Sequence, residues 1–90
     1  MNPETIRLLT SLESRMREAI EDVSVRGLSD GPFLFATCRG RAAEASTTHE
    51  GVWWLELWEA GDDPDASPVK EISAKSEGDT YRVLMDWLKP

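Results

Sequence analysis

The chain has little of the chemistry that cysteine and histidine provide, with only Cys38 and His49 among its 90 residues. One cysteine excludes an intrachain disulfide, and the pair provides too few ligands for a structural zinc site. A catalytic Cys–His pair would require contact in the fold. However, Cys38 lies in an apolar segment typical of a buried thiol, and His49 lies in a polar segment typical of a loop. We therefore predict no catalytic residues, no cofactor and a non-enzymatic role.

Long apolar segments are also missing. The longest purely apolar runs, such as residues 52–55, fall far short of the roughly 18 residues that a membrane-spanning helix needs. The first residues, Met-Asn-Pro-Glu, lack the basic start and apolar run of a signal peptide. We therefore expect a cytoplasmic, soluble protein. With 40% hydrophobic and 30% charged residues, the composition predicts one globular domain over residues 1–90.

Positive charge is scarce and negative charge is concentrated. The 10 lysines and arginines face 17 acids, which gives a net charge of −7. Residues 52–67 contain five acids and no base, so this segment alone contributes −5; the acids are Glu56, Glu59, Asp62, Asp63 and Asp65. Such a field would repel phosphates, so no nucleic-acid partner is expected, whereas a basic partner would be attracted. The acids also lack the alternating spacing of a calcium loop, so no metal site is predicted.

An N-terminal helix is predicted from residue 3 until Gly27. Asn2, Pro3 and Glu4 provide a side-chain cap, a proline at the first helical position and an acid at the positive end of the helix dipole. Apolar residues then recur at steps of three and four residues, which places them in one stripe along a helix; they are Ile6, Leu9, Leu12, Met16, Ile20 and Val23. Glycine commonly ends helices, so we expect the helix to end at Gly27.

Three strands are predicted at residues 33–38, 52–59 and 69–74, with the second in the centre of the sheet and the short, polar third at an edge. Residues 40–51 are predicted to form a long hairpin connection, although residues 42–45 could also continue a strand or form a helical turn. Ser76, followed three residues later by Asp79, indicates a capped closing helix. The order α-β-β-β-α predicts an α+β domain with a three-stranded antiparallel sheet packed with N- and C-terminal helices.

The strand at residues 52–59 divides into two faces. One face holds Trp53, Leu55 and Leu57 and should point into the core. On the other face, a carboxylate lies between two indoles, and burying a carboxylate without a partner is costly. We therefore expect that second face to reach water or a basic partner, although coverage of its indoles by the closing helix would place them in the core instead.

The leading functional hypothesis is a protein–protein interaction module that acts as an adaptor, regulator or inhibitor of a basic partner, with a homodimer as a second option. The predicted binding residues are Trp54, Glu56, Trp58, Asp62 and Asp63. Tryptophan is enriched in binding hot spots and stacks against arginine and lysine, which suits a basic partner. The alternative hypothesis is a small-molecule or metal-dependent site that uses His49 with the acids of residues 56–65.

Overall fold

The computed structural model describes residues 3–29, 31–48, 51–59 and 67–90. Within these ranges the chain forms two helices and five strands, in the order α1 (Pro3–Met16), β1 (Asp22–Arg26), β2 (Phe33–Cys38), β3 (Arg41–Thr47), β4 (Trp53–Trp58), β5 (Lys70–Ala74) and α2 (Glu77–Leu88). The strands lie side by side in chain order, each antiparallel to its neighbours. The predicted α+β class with terminal helices is confirmed, and the predicted three-stranded sheet is wrong.

The first added strand, β1, comes from the second half of the predicted N-terminal helix. The helix α1 ends at Met16, whose carbonyl oxygen accepts N–H bonds at 3.0 and 2.8 Å from the residues three and four positions later. Val23 fits the helical stripe, but with Val25 it also fits the two-residue repeat of a strand, and β-branched residues favour strands. Pairing with β2 stabilises the strand. Gly27, with φ of +68°, lies after β1 and does not end a helix.

The second added strand, β3, lies within the predicted hairpin connection and is the central strand of the described sheet. A two-residue turn joins it to β2, since Cys38 pairs with Arg41. Arg39 and Gly40 in this turn both have positive φ, 52° and 84°, as tight hairpins with matching strand twist require. The strand β4 is therefore not central, contrary to the sequence-based prediction.

The other predicted elements are found close to their expected positions. The strand β4 lies within predicted residues 52–59, and β5 lies at the edge of the described sheet as expected. The closing helix has the predicted cap, because the Asp79 N–H donates to the Ser76 hydroxyl oxygen at 3.0 Å. No helix in the described ranges is long and apolar enough to cross a membrane.

Both helices pack on the same face of the sheet. The buried strand residues all belong to one side of the strand alternation; they are Val23, Leu34, Ala36, Ala43, Ala45, Thr47, Trp53, Leu55, Leu57 and Ala74. The helix α1 lies over β1, β2 and β3, and α2 lies over β3, β4 and β5. Both helices thus contact β3, and its small buried residues Ala43 and Ala45 leave room for them to meet. The opposite face of the sheet has no helix from the described chain.

Candidate functional site

The uncovered side of the sheet, here called the open face, has a row of side chains that crosses all five described strands. Strand register places Ser24 opposite Phe35, Phe35 opposite Glu44, Glu44 opposite Glu56 and Glu56 opposite Glu71. Three glutamates are therefore direct neighbours on adjacent strands. Side chains in such positions have Cβ atoms roughly 5 Å apart, and like charges placed there destabilise the sheet.

The arrangement affects the ionisation of Glu44. Partial burial raises the pKa of Glu44 above its ordinary value of 4.5, and the negative charge of Glu56 raises it further. The positive charge of Arg26, on β1, lowers the pKa of Glu44 but does not cancel these effects. Arg26 is itself held over the sheet, with its guanidinium carbon 4.6 Å from the centre of the Phe35 ring.

A cleft lies beside this row of glutamates. It encloses about 310 Å³, which is near the lower limit for a small-molecule pocket, and its walls combine carboxylates with aromatic rings. Its lining residues are Gly31, Pro32, Phe33, Glu44, Ala45, Ser46, Trp54 and Glu56. Trp54 is 43% exposed, an unusually large display for an indole. Aromatic walls beside carboxylates suit a side chain with an apolar stem and a cationic end.

Trp58 lies at the end of β4, where the strand is attached to α2. The Trp87 indole N–H donates to the carbonyl oxygens of Trp58 and Ala42 at 3.1 and 3.2 Å. Arg41 donates to the Trp87 carbonyl oxygen at 2.9 Å, and its guanidinium carbon lies 4.7 Å from the centre of the Trp87 ring. This part of β4 is thus held to the closing helix through the Trp87 indole, whereas Trp54 lies against the open cleft.

The burial of β4 agrees with the division into two faces. Trp53, Leu55 and Leu57 are 2%, 0% and 1% exposed, so this face belongs to the core. Of the predicted binding residues, Trp54 is exposed, while Glu56 and Trp58 are half-buried. The structure brings Trp54 and Glu56 together at one cleft.

Several predicted candidates lie outside the described residues, namely Asp62, Asp63 and His49. The alternative site that combines His49 with the acids of 56–65 therefore remains a sequence-based hypothesis. Cys38 is partly buried and packs against the core. Within the described ranges, no three histidine, cysteine or acidic side chains are arranged to hold a metal ion.

Four aromatic and acidic members of the row and the cleft were not among the predicted binding residues: Phe33, Phe35, Glu44 and Glu71. Phe33 and Phe35 share one face of β2 through strand alternation, and no local pattern indicated that Glu44 lies beside Phe35. Glu44 belongs to the segment interpreted as a connection. The alternation of small residues in Ala43-Glu44-Ala45 could have indicated a strand that is buried on one face.

Comparison with known proteins adds no functional information, since no protein-family model, curated protein or solved structure matches this chain.

Proposed function

We propose that this chain is a protein-binding module whose open face docks a polypeptide segment that carries arginine or lysine. The observation that carries the proposal is the row Glu44, Glu56 and Glu71, in which three carboxylates are direct cross-strand neighbours. Glu56 raises the pKa of Glu44, so this opposed pair repels in the folded chain, and like charges at opposed positions destabilise a sheet. A bound cation would convert this repulsion into attraction, so the face is better suited to a complex than to the free protein.

The aromatic side chains beside the row favour a cationic side chain over a simple ion. Trp54 and Phe33 line the same cleft as Glu44 and Glu56. A guanidinium group placed over an aromatic face gains about 0.5–2 kcal/mol, and a carboxylate beside it adds a charge-assisted hydrogen bond. The stacking of Arg26 over Phe35 is an example of this contact within the chain itself.

The net charge supports the same type of partner. At −7 the protein attracts a basic chain at a distance, which raises the association rate more than the final affinity. A second copy stacked on the same face would bring two rows of glutamates together, which is electrostatically unfavourable. We therefore assign the open face to a different, basic protein, and the module would act as its adaptor, regulator or inhibitor.

Isothermal titration with a synthetic nona-arginine peptide tests the proposal at about 150 mM salt, where attraction at a distance is largely screened. The Glu56→Gln variant should weaken binding by roughly tenfold or more, because it removes a charge-assisted contact. The control, Asp86→Asn, removes the same charge from the exposed surface of α2 and should change affinity less than twofold.

The Trp54→Ala variant separates a specific site from general charge attraction, because it leaves the net charge unchanged. We expect it to weaken binding by about fivefold to thirtyfold, from the loss of stacking on the guanidinium. Equal affinities for Glu56→Gln and Asp86→Asn, together with no effect of Trp54→Ala, would contradict the proposal.

A further inference from the structure

The outer edge of β1 is a second surface, separate from the open face. In the described chain β1 pairs with β2 on one side and with no strand on the other. An edge strand presents unpaired backbone N–H and C=O groups, which can pair with another strand. Natural proteins often protect such edges with charged side chains, and β1 has one charge of each sign, at Asp22 and Arg26.

The five residues of β1 are complementary to themselves. In an antiparallel pair of β1 strands centred on Ser24, Asp22 of each copy lies opposite Arg26 of the other. Two pairs of opposite charges therefore form. Val23 of each copy lies opposite Val25 of the other. From this pattern we propose that two copies of the chain associate through β1 and form one continuous sheet.

The positions of the side chains fit this pairing. Asp22, Ser24 and Arg26 share the open face, because β1 pairs with β2 in a regular register. Arg26 lies on that face, where its Nε donates to the Ser24 hydroxyl oxygen at 3.1 Å and its guanidinium stacks on Phe35, so in the dimer the side chain turns toward the edge to meet the aspartate of the other copy. The two valines lie on the helix-covered side, with Val23 3% exposed. Charged pairs would thus form on one side of the new ladder and apolar pairs on the other.

The other edge of the described sheet does not have this property. An antiparallel pair of β5 strands centred on Ile72 would place Lys70 opposite Ala74 and Glu71 opposite Ser73. No pair of opposite charges results, so the sequence favours association through β1. The two edges therefore provide an internal comparison for an experiment.

The negative rows of the open faces do not oppose such a dimer. The two Glu44 side chains would be separated by five strand spacings, or about 24 Å. This distance is about three times the screening length of ~8 Å at physiological salt.

A two-fold axis perpendicular to the sheet keeps both open faces on the same side of the dimer, with the two Trp54 clefts about seven strand spacings, or 34 Å, apart. If the open face binds a basic chain as proposed above, the dimer would be bivalent toward it.

Two five-residue strands form a small interface, below the ~1,000 Å² that is usual for stable complexes. We therefore expect a weak, reversible dimer. Sedimentation equilibrium between about 10 µM and 1 mM should show a weight-average mass that rises with concentration toward twice 10.1 kDa. A chain that stays monomeric over this range would overturn the proposal.

Charge reversal tests which edge is used. The Asp22→Arg and Arg26→Asp variants each place like charges opposite one another at both symmetry-related positions. Each variant alone should therefore dimerise at least about tenfold more weakly than the original chain. An equimolar mixture of the two should associate again, because each then faces its opposite charge.

The Lys70→Glu variant is the matched control on β5 and should dimerise like the original chain. Circular dichroism verifies that all variants fold, which is expected since Asp22, Arg26 and Lys70 are exposed. Restored association in the mixture cannot arise from general destabilisation or from net charge alone. Dimerisation that neither β1 reversal weakens, or a mixture that fails to associate, would overturn pairing through β1.

Discussion

Replacing Glu44 with glutamine should stabilise the protein at neutral pH. Glu44 is partly buried and lies directly opposite Glu56, and both conditions raise its pKa in the folded chain. Its negative charge therefore disfavours folding. Glutamine has nearly the same shape and no charge, and its amide can donate to the neighbouring carboxylate.

The sign of the pH dependence follows from the direction of the pKa shift. The folded chain holds the Glu44 proton more tightly than the unfolded chain, whose carboxyl has the ordinary value of 4.5. Well below that pH the Glu44 carboxyl is protonated in the folded and in the unfolded chain, so it does not affect the free energy of unfolding. As the pH rises from the ordinary pKa of the Glu44 carboxyl to its pKa in the folded chain, the free energy of unfolding decreases. Above the pKa in the folded chain, this loss of stability stays constant. The advantage of Glu44→Gln should thus be small near pH 3.5 and larger at pH 7.5.

The expected gain at pH 7.5 is about 0.2–1 kcal/mol, the size typical of a cross-strand side-chain interaction. In a domain of this size, 1 kcal/mol corresponds to roughly 4–8 °C in Tm, so an increase of about 1–8 °C is expected. Part of this gain would be lost because Arg26 no longer faces a charge. The gain should come with weaker binding of an arginine peptide, because the carboxylate that disfavours folding is proposed to bind the partner.

Urea unfolding followed by tryptophan fluorescence at both pH values measures the effect. Glu18→Gln, at an exposed position after α1, is the control and should change stability little at either pH. Destabilisation by Glu44→Gln at pH 7.5, or the same gain at both pH values, would refute the electrostatic account of the row.

Three further predictions concern the elements that position the open face, and urea unfolding measures each. Gly27→Ala should destabilise the protein by more than 1 kcal/mol, because φ at Gly27 is +68° and the new Cβ would lie 2.5 Å from the Gly31 carbonyl oxygen. The control is Gly78→Ala, whose Cβ would meet only the Ser76 hydroxyl oxygen at 3.9 Å, and it should be neutral or stabilising. Ser76→Ala removes the cap of α2 and should destabilise by about 1 kcal/mol. Trp87→Phe removes an N–H that bonds two strand carbonyls and should destabilise by about 1–3 kcal/mol. An unchanged midpoint for any destabilising variant would contradict the role assigned to that residue.

Elements with locally consistent signals could be predicted from the sequence. The cap at Ser76 and the alternation in β4 depend on residues within a few positions of one another, and both agree with the structure. The end of α1 could not be predicted this way, because Val23 satisfies a helical and a strand pattern equally. Pairing with β2, whose partner residues are seven to fifteen positions away, decided between them.

The open face depended on contacts between distant parts of the chain. A strand at β3 was predicted only as an alternative for residues 42–45, because alanine has little preference for strands and its alanines are explained only by the helices packed on them. Without a strand as the main prediction at β3, no sequence pattern could place Glu44 beside Glu56. The sequence identified Trp54 and Glu56 from their alternation within one strand, but not the neighbours that complete the cleft.

The most direct test of a cation-binding open face is a nuclear magnetic resonance titration of the ¹⁵N-labelled chain with the nona-arginine peptide at about 150 mM salt. The predicted result is a set of saturable shifts in the Trp54 indole N–H and in the backbone amides of Phe35, Glu44, Glu56 and Glu71, with little change along α1 and α2. Shifts spread evenly over all acidic surfaces, or confined to the helices, would contradict the account.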